Sequence, residues 1–411
     1  MRAGLRGPVR RAGAVALAAA LAACSFAGAG VVARRSDAHA ARQLYPTREQ
    51  LLDYSYIRSF YDERRAAGYD THLVLGSSEL YPAPGLLYHP TTMLAGSQTG
   101  VDALMLGRPG CSDVWQAVEL GALARDGAPK RVVLIPSMLW YTAGRDPQAD
   151  YPGIFSRGTY DAFIAQDRIS DESKQWVARR LRAYGVMVDE PRGALGRAAS
   201  MVDGGVAAEL ETIRRILSPA HDAAAPVMRP PRANGARGSA AQASAPPHEP
   251  RWEDLYRRAH AASELSHEGS DNGCYRSWNE RGLERFTRRA REWEERGSGE
   301  LSTQELEDFE HTLSICRQLG FEACVLIQPV NGFLYDQTVY GREVRSRYYQ
   351  MLRDACTRAN VAYADLSSHE YDPLFFRDDN HPSSVGALYY ARAMWTYLAG
   401  GAPDVSSLGA P

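Results

Sequence analysis

An excess of charge of either sign is missing from this sequence. Lys and Arg together number 47 against 49 Asp and Glu, a net charge of −2 with His neutral. A nucleic-acid-binding domain would show a basic excess, so that class is set aside. Cysteine is scarce as well. There are six in 411 residues, at positions 24, 111, 274, 316, 324 and 356, with no metal-ligand spacing among them. That argues against both a cysteine-based metal site and a disulfide framework. The cysteines read as small buried residues, with room for one pair in an oxidising compartment. What remains, 45% hydrophobic and 23% charged residues, is ordinary for a globular protein of one large or two small domains.

One long apolar run is present, at the N-terminus. Met1–Arg11 carries Arg2, Arg6, Arg10 and Arg11 and no acid, and the 22 residues from Ala12 to Ala33 carry no charge. Arg34-Arg35 follows. A basic start and an apolar run near 20 residues read as an export signal or a membrane-spanning anchor over residues 1–35. The positive flank favours an N-terminus inside and a body outside. Leu21-Ala22-Ala23-Cys24 offers a rival, because it looks like a bacterial lipoprotein cleavage box. The apolar stretch continuing through Val31-Val32 favours the uncut transmembrane helix. Both readings put the body on the outer face of a membrane.

Leu73-Val74-Leu75-Gly76-Ser77-Ser78 is the stretch on which the rest turns. An apolar run breaks at a glycine and two serines follow, which places a serine at the C-terminal end of a strand, where open α/β sheets carry their sites. Turns and helix caps also use serine. A helix over 46–69 leads in, on the surface. Glu79 opens the loop Tyr81-Pro82-Ala83-Pro84-Gly85, which holds His89 and is expected to wall the site; a capping or surface role for His89 stands beside that. The short run 101–106 is followed by Gly107-Arg108-Pro109-Gly110 and a helix. Amides ahead of a helix N-terminus meet developing negative charge, so Gly107 and Gly110 are oxyanion candidates, or form a plain tight turn.

A strand over 130–135 ends near Trp140-Tyr141, aromatics that line a pocket or belong to the core. Helices follow over 158–217, with a break at 193–199. Residues 218–251 are rich in Ala, Pro, Gly, Arg and Ser and read as a disordered insert hung from a helical excursion. Helix returns over 252–296, interrupted near Gly269–Gly273. Ser302-Thr303-Gln304-Glu305 matches a capping box, and Gly320 a C-terminal glycine cap. Strands over 323–327, ending at Gln328, and 361–366 alternate with helices over 341–358 and 383–398. This order gives an α/β fold with a parallel sheet covered on both faces. The loops leaving its strands converge on one edge with Ser78, Gly110, Trp140, Gln328 and, last, Asp378 and His381.

A serine hydroxyl is a poor nucleophile until an imidazole removes its proton and a carboxylate orients that imidazole. Asp378-Asp379-Asn380-His381 supplies both partners three residues apart, in the chain order Ser…Asp…His. A loop with helix-capping groups is the plainer reading of the same residues.

The chain resembles the DltD family, membrane-anchored D-alanine transfer proteins of Gram-positive cell walls. Gly76-Ser77-Ser78-Glu79 with His89-Pro90 looks like its start. Pro329-Val330-Asn331-Gly332, Tyr335-Asp336, Tyr348-Tyr349, Asp365-Leu366-Ser367, His369-Glu370-Tyr371-Asp372-Pro373 and Asp378-x-x-His381 follow in that family's order. Leu139 departs from it, standing where the family has Gln before Trp140. Pro382-Ser383-Ser384 departs too, after the histidine. The resemblance implies a three-layer SGNH/GDSL hydrolase-like domain over 43–400, with Ser78 as nucleophile and Asp378 and His381 completing a triad. It also implies no cofactor or metal, and partners in a D-alanylation pathway: a membrane-bound O-acyltransferase, a D-alanyl carrier protein and a lipoteichoic acid acceptor. The expected place is the cell membrane, crossed once, with the catalytic domain outside. An esterase or thioesterase with the same triad, and a non-catalytic assembly protein, are the other classes open.

Overall fold

The computed structural model describes residues 45–83, 85–94, 99–143, 145–188, 247–297 and 299–408. The anchor or signal expected over 1–35, the helix break at 193–199, the helix up to 217 and residues 218–246 of the insert expected over 218–251 lie outside them. Among the described residues no helix is long and apolar enough to cross a membrane.

Five strands build the sheet: β1 Thr71–Leu75, β2 Asp102–Leu106, β3 Arg131–Leu134, β4 Glu322–Ile327 and β5 Ala362–Asp365. All pair in parallel, in the order β2-β1-β3-β4-β5. Alternate side chains point to opposite faces, and two apolar layers result. Leu73, Leu75, Leu104, Leu106, Val132, Leu134, Val325 and Ile327 belong to one. Val74, Ala103, Met105, Val133, Ile135, Cys324 and Leu326 belong to the other. This is the three-layer α/β arrangement.

The longer helices are α1 Tyr54–Ala66, α2 Asp113–Leu123, α3 Arg157–Ala165, α4 Asp171–Ala183, α5 Trp252–His267, α6 Arg276–Arg296, α7 Thr303–Leu319, α8 Arg342–Ala359 and α9 Ser384–Leu398. Residues of α1 to α4 and of α6 to α8 cover the first face, and those of α5 and α9 the second.

The elements differ from the sequence expectations in four places. The run 101–106 contains a fifth strand, β2, wholly buried, so its side chains show no alternation to read. The single helix over 46–69 is two, Arg48–Leu52 and α1, parted at Asp53, whose carboxylate accepts the Tyr56 amide at 3.0 Å and caps α1. The helical region beginning at 158 is broken between α3 and α4. The capping box at Ser302 is half formed. Ser302 Oγ accepts the Glu305 amide at 3.1 Å, but the Glu305 carboxylate turns inward, to Arg145 and the Asp113 amide. Gly320 does close α7 in the left-handed conformation, at φ 74°. The cysteines among the described residues are buried free thiols.

Strand order places a topological switch at β1, with β2 on one side of it and β3 on the other. The crevice beyond the C-terminal ends of such strands is where open α/β sheets place ligands.

Candidate active site

Beyond Leu75 the chain leaves β1 through Gly76 and bends at once into a short turn of helix, Ser78–Leu80. Gly107, at the exit of β2, presses against this bend. A Cβ on Gly107 would lie 2.6 Å from the Gly76 carbonyl oxygen, so the two strand exits approach as closely as they do only because a side chain is absent. The two serines then divide. Ser77 is buried, and its hydroxyl donates to the Arg108 carbonyl at 3.1 Å. Ser78 is half-buried, and its Oγ lies 2.8 Å from His381 Nε2.

His381 Nδ1 lies 2.8 and 2.9 Å from the two carboxylate oxygens of Asp378. With the proton on Nδ1, held by the carboxylate, Nε2 presents its lone pair to the Ser78 hydroxyl. The amides of Asn380 and His381 donate to Asp378 Oδ1 at 3.0 and 2.7 Å. Burial by itself raises the Asp378 carboxyl. The charge and hydrogen bonds of His381, with Arg377 and the Asn380 amide, outweigh that and hold it at about 2. Serine, imidazole and carboxylate thus form one hydrogen-bonded line across 303 residues of chain.

The loop carrying Asp378 and His381 is gripped from the side by α5, α6 and the turn between them. His267 sets its ring nitrogens 2.6 Å from the Ser263 carbonyl and 2.7 Å from the Phe376 carbonyl. The Tyr275 amide donates to the Arg377 carbonyl at 3.1 Å, and the Tyr275 hydroxyl accepts the Ser384 amide at 3.3 Å. Arg289 forms an ion pair with Asp379. These braces escaped the sequence reading, because nothing local to 252–296 marks which residues meet a loop some hundred positions on.

The other expected site residues are scattered. Gly110 adopts φ +103°, and a Cβ there would meet Ile154 at 3.3 Å; its glycine serves the turn. His89 is buried and caps a short helix, its Nδ1 accepting the Thr91 amide at 3.3 Å while Nε2 donates to the Glu79 carbonyl at 3.0 Å. Burial lowers its imidazole to about 4, so it stays neutral. It supports the serine turn from behind. Trp140, half-buried after β3, packs under the Arg145 guanidinium at 4.6 Å. Gln328 is buried, its Nε2 donating to the Pro136 carbonyl at 3.1 Å and its Oε1 accepting the Tyr390 hydroxyl at 3.2 Å. Glu79, the residue that opens the loop after β1, folds its side chain inward: its carboxylate accepts the Ser77 amide at 2.5 Å. A charged residue beside a serine pair gives no sign of that burial in the sequence.

Comparison with known proteins bears on the same span. The sequence model of the DltD protein family matches residues 53–399, most of the chain. The chain belongs to the DltD family. A stretch of 99 residues is 33% identical to Protein DltD of Bacillus subtilis (strain 168). That stretch is 24% of this chain and 25% of the relative, so the chain spans about a quarter of the length of the curated DltD protein it matches. The span matched by the DltD family model holds Ser78, Asp378 and His381 together.

Proposed function

We propose that this protein transfers D-alanyl groups to teichoic acid at the outer face of the cell membrane, as a serine-dependent acyltransferase of SGNH type. The observation that carries the proposal is the line Ser78–His381–Asp378, with 2.8 Å at each junction, in a chain of the DltD family. His381 Nε2 takes the Ser78 proton as Oγ attacks the D-alanyl carbonyl. The developing imidazolium is stabilised by Asp378, which is already ionised. The donor leaves with that proton, and D-alanine rests on Ser78 as an ester. A hydroxyl of the polymer then attacks, its proton passing to His381 and on to Ser78 Oγ, which is released.

The tetrahedral oxyanion needs donors fixed in advance. Among the described residues the amides of Ser78 and Gly107 have no hydrogen-bond partner, and Gly107 is held against the Ser77 backbone by the close approach at Gly76. These two amides take the oxyanion role in this reading, and Gly110 does not. A membrane-bound O-acyltransferase and a D-alanyl carrier protein are the proposed partners upstream, with lipoteichoic acid as acceptor. Putting a cationic amine on a polyphosphate lowers the negative charge of the wall, which is the physical effect of the transfer.

The deciding experiment replaces Ser78 with Ala in cells that make D-alanylated wall polymer. Loss of D-alanine esters with the protein still folded and abundant is expected; unchanged ester content overturns the covalent role. Purified protein given acylated polymer separates the reaction types. Exchange of D-alanine between polymer chains marks a transferase, and release of free D-alanine to water marks an esterase.

A further inference from the structure

Beside the proposed nucleophile sits a buried carboxylate that the transfer steps do not use. Glu79 is 3% exposed. A carboxylate is expensive to take out of water, and it is retained in an interior where donors converge on it. Here the Ser77 amide donates at 2.5 Å, and the neighbouring Gln328 side chain favours the charged form. The side chain lies so tightly over the strand exit that a Cβ on Gly76 would come within 2.2 Å of Glu79 Oε1. Gly76 and Glu79 are thus two halves of one fit.

Gln328 has a fixed orientation. Its Oε1 accepts from Tyr390, so Nε2 faces Pro136 as a donor. A side-chain amide has two N–H groups, so the Nε2 that donates to Pro136 has a second to offer the Glu79 carboxylate, whose charged form Gln328 favours. Glu79 must therefore accept, which a carboxylate does and the amide of a glutamine does with only one of its two ends. The backbone of the same residue is held too, since His89 Nε2 donates to the Glu79 carbonyl at 3.0 Å. The hydrogen bonds of Gln328 tie the exits of β3 and β4 to α9 beside the residue following Ser78.

We infer that Glu79 is a positioning residue: its carboxylate holds the Ser77 amide and so fixes the turn that carries Ser78, keeping Oγ in line with His381 and the Ser78 amide free. This rests on the reading of Ser78 as the nucleophile. Its effect falls on the rate of attack and leaves substrate binding alone, because Glu79 lies behind the serine turn. Burial pushes its carboxyl above the ordinary range, while the Ser77 amide, its own amide, His381 and Gln328 pull it back.

The test uses the full-length chain in detergent with a fluorophosphonate probe, in which the Oγ–P bond forms as fluoride leaves. Limiting inactivation rate and half-saturating probe concentration are measured for wild type, Ser78→Ala, Glu79→Gln and Tyr390→Phe, each normalised to folded protein by thermal unfolding. For Glu79→Gln the limiting rate should fall on the order of a hundredfold, the scale of a small misplacement at a reacting centre, with half-saturation unchanged. Tyr390→Phe, which frees Gln328 to rotate, should show the same split with a smaller fall. A limiting rate for Glu79→Gln within about twofold of wild type overturns the inference, as does a loss carried by half-saturation alone. Should Glu79→Gln not fold, Tyr390→Phe decides by the same criterion. If wild type fails to react, or Ser78→Ala reacts equally, the nucleophile reading falls and takes this inference with it. If wild type reacts at Ser78 and both variants match it, this inference alone falls.

Discussion

Asp378 holds its charge because His381 and the amides of two loop residues converge on it, and this one side chain has two measurable consequences. Replacing it with Asn preserves the shape of the loop but turns an acceptor toward His381 into a mixed donor and acceptor, so the ring loses the tautomer that faces Ser78. Under the proposed mechanism turnover should drop by about four orders of magnitude, as for triads stripped of their acid, with the fold retained by circular dichroism. The second consequence concerns pH. The carboxyl lies at about 2 in the folded protein, below its ordinary value. A depressed carboxyl contributes stability that is present above its unfolded value and lost as pH falls through the folded one. Wild type should therefore lose stability relative to Asp378→Asn between about pH 4 and about pH 2, read from urea midpoints. The spacing Asp-x-x-His announced this pair in the sequence. Which of the two serines it serves was less legible, because the group that occupies Ser77 is the Arg108 carbonyl, 31 residues away. Glu79 was not legible at all. Its charge reads as solvent-facing, and only the packed strand exits reveal otherwise.

The elements show where periodicity informs and where it fails. β1, β3 and β4 are apolar runs closed by Gly or Pro and are plain in the sequence. β2 is not, since a strand buried on both faces has no pattern to distinguish it from a turn of buried helix. The same blindness touches α2, every residue of which is buried, Asp113, Gln116 and Glu119 included. Burial pushes the Glu119 carboxyl up to about 8. A raised carboxyl binds its proton more tightly in the folded state, so its contribution is greatest at low pH and is lost as pH rises toward the folded value. Glu119→Gln, which keeps the volume and removes the charge, should match wild type near pH 4.5 and exceed it increasingly up to about pH 8, by thermal unfolding across that range. The half-formed cap at Ser302 belongs to the same lesson. The S/T-x-x-E pattern located the start of α7 correctly, yet Glu305 is drawn off by Arg145, a buried partner that local sequence does not display.

For the whole molecule, the alternation of strands and helices carried the layer architecture, while the brace of α5 and α6 on the last loop came from tertiary contacts alone. That brace and the 303-residue separation of Ser78 from His381 bear on how the protein comes into being. Contacts this distant in sequence form late, because closing so long a loop costs chain entropy. In the proposed mechanism a chain part-way through synthesis holds Ser78 but neither His381 nor Asp378, and its serine is as inert as any other alcohol. On refolding from denaturant, labelling of Ser78 by a fluorophosphonate should return with the slowest folding phase and lag behind helix content measured by far-ultraviolet circular dichroism. Reactivity, in the proposed mechanism, is a certificate of completion: Ser78 gains its chemistry only when the loop carrying Asp378 and His381 has met it.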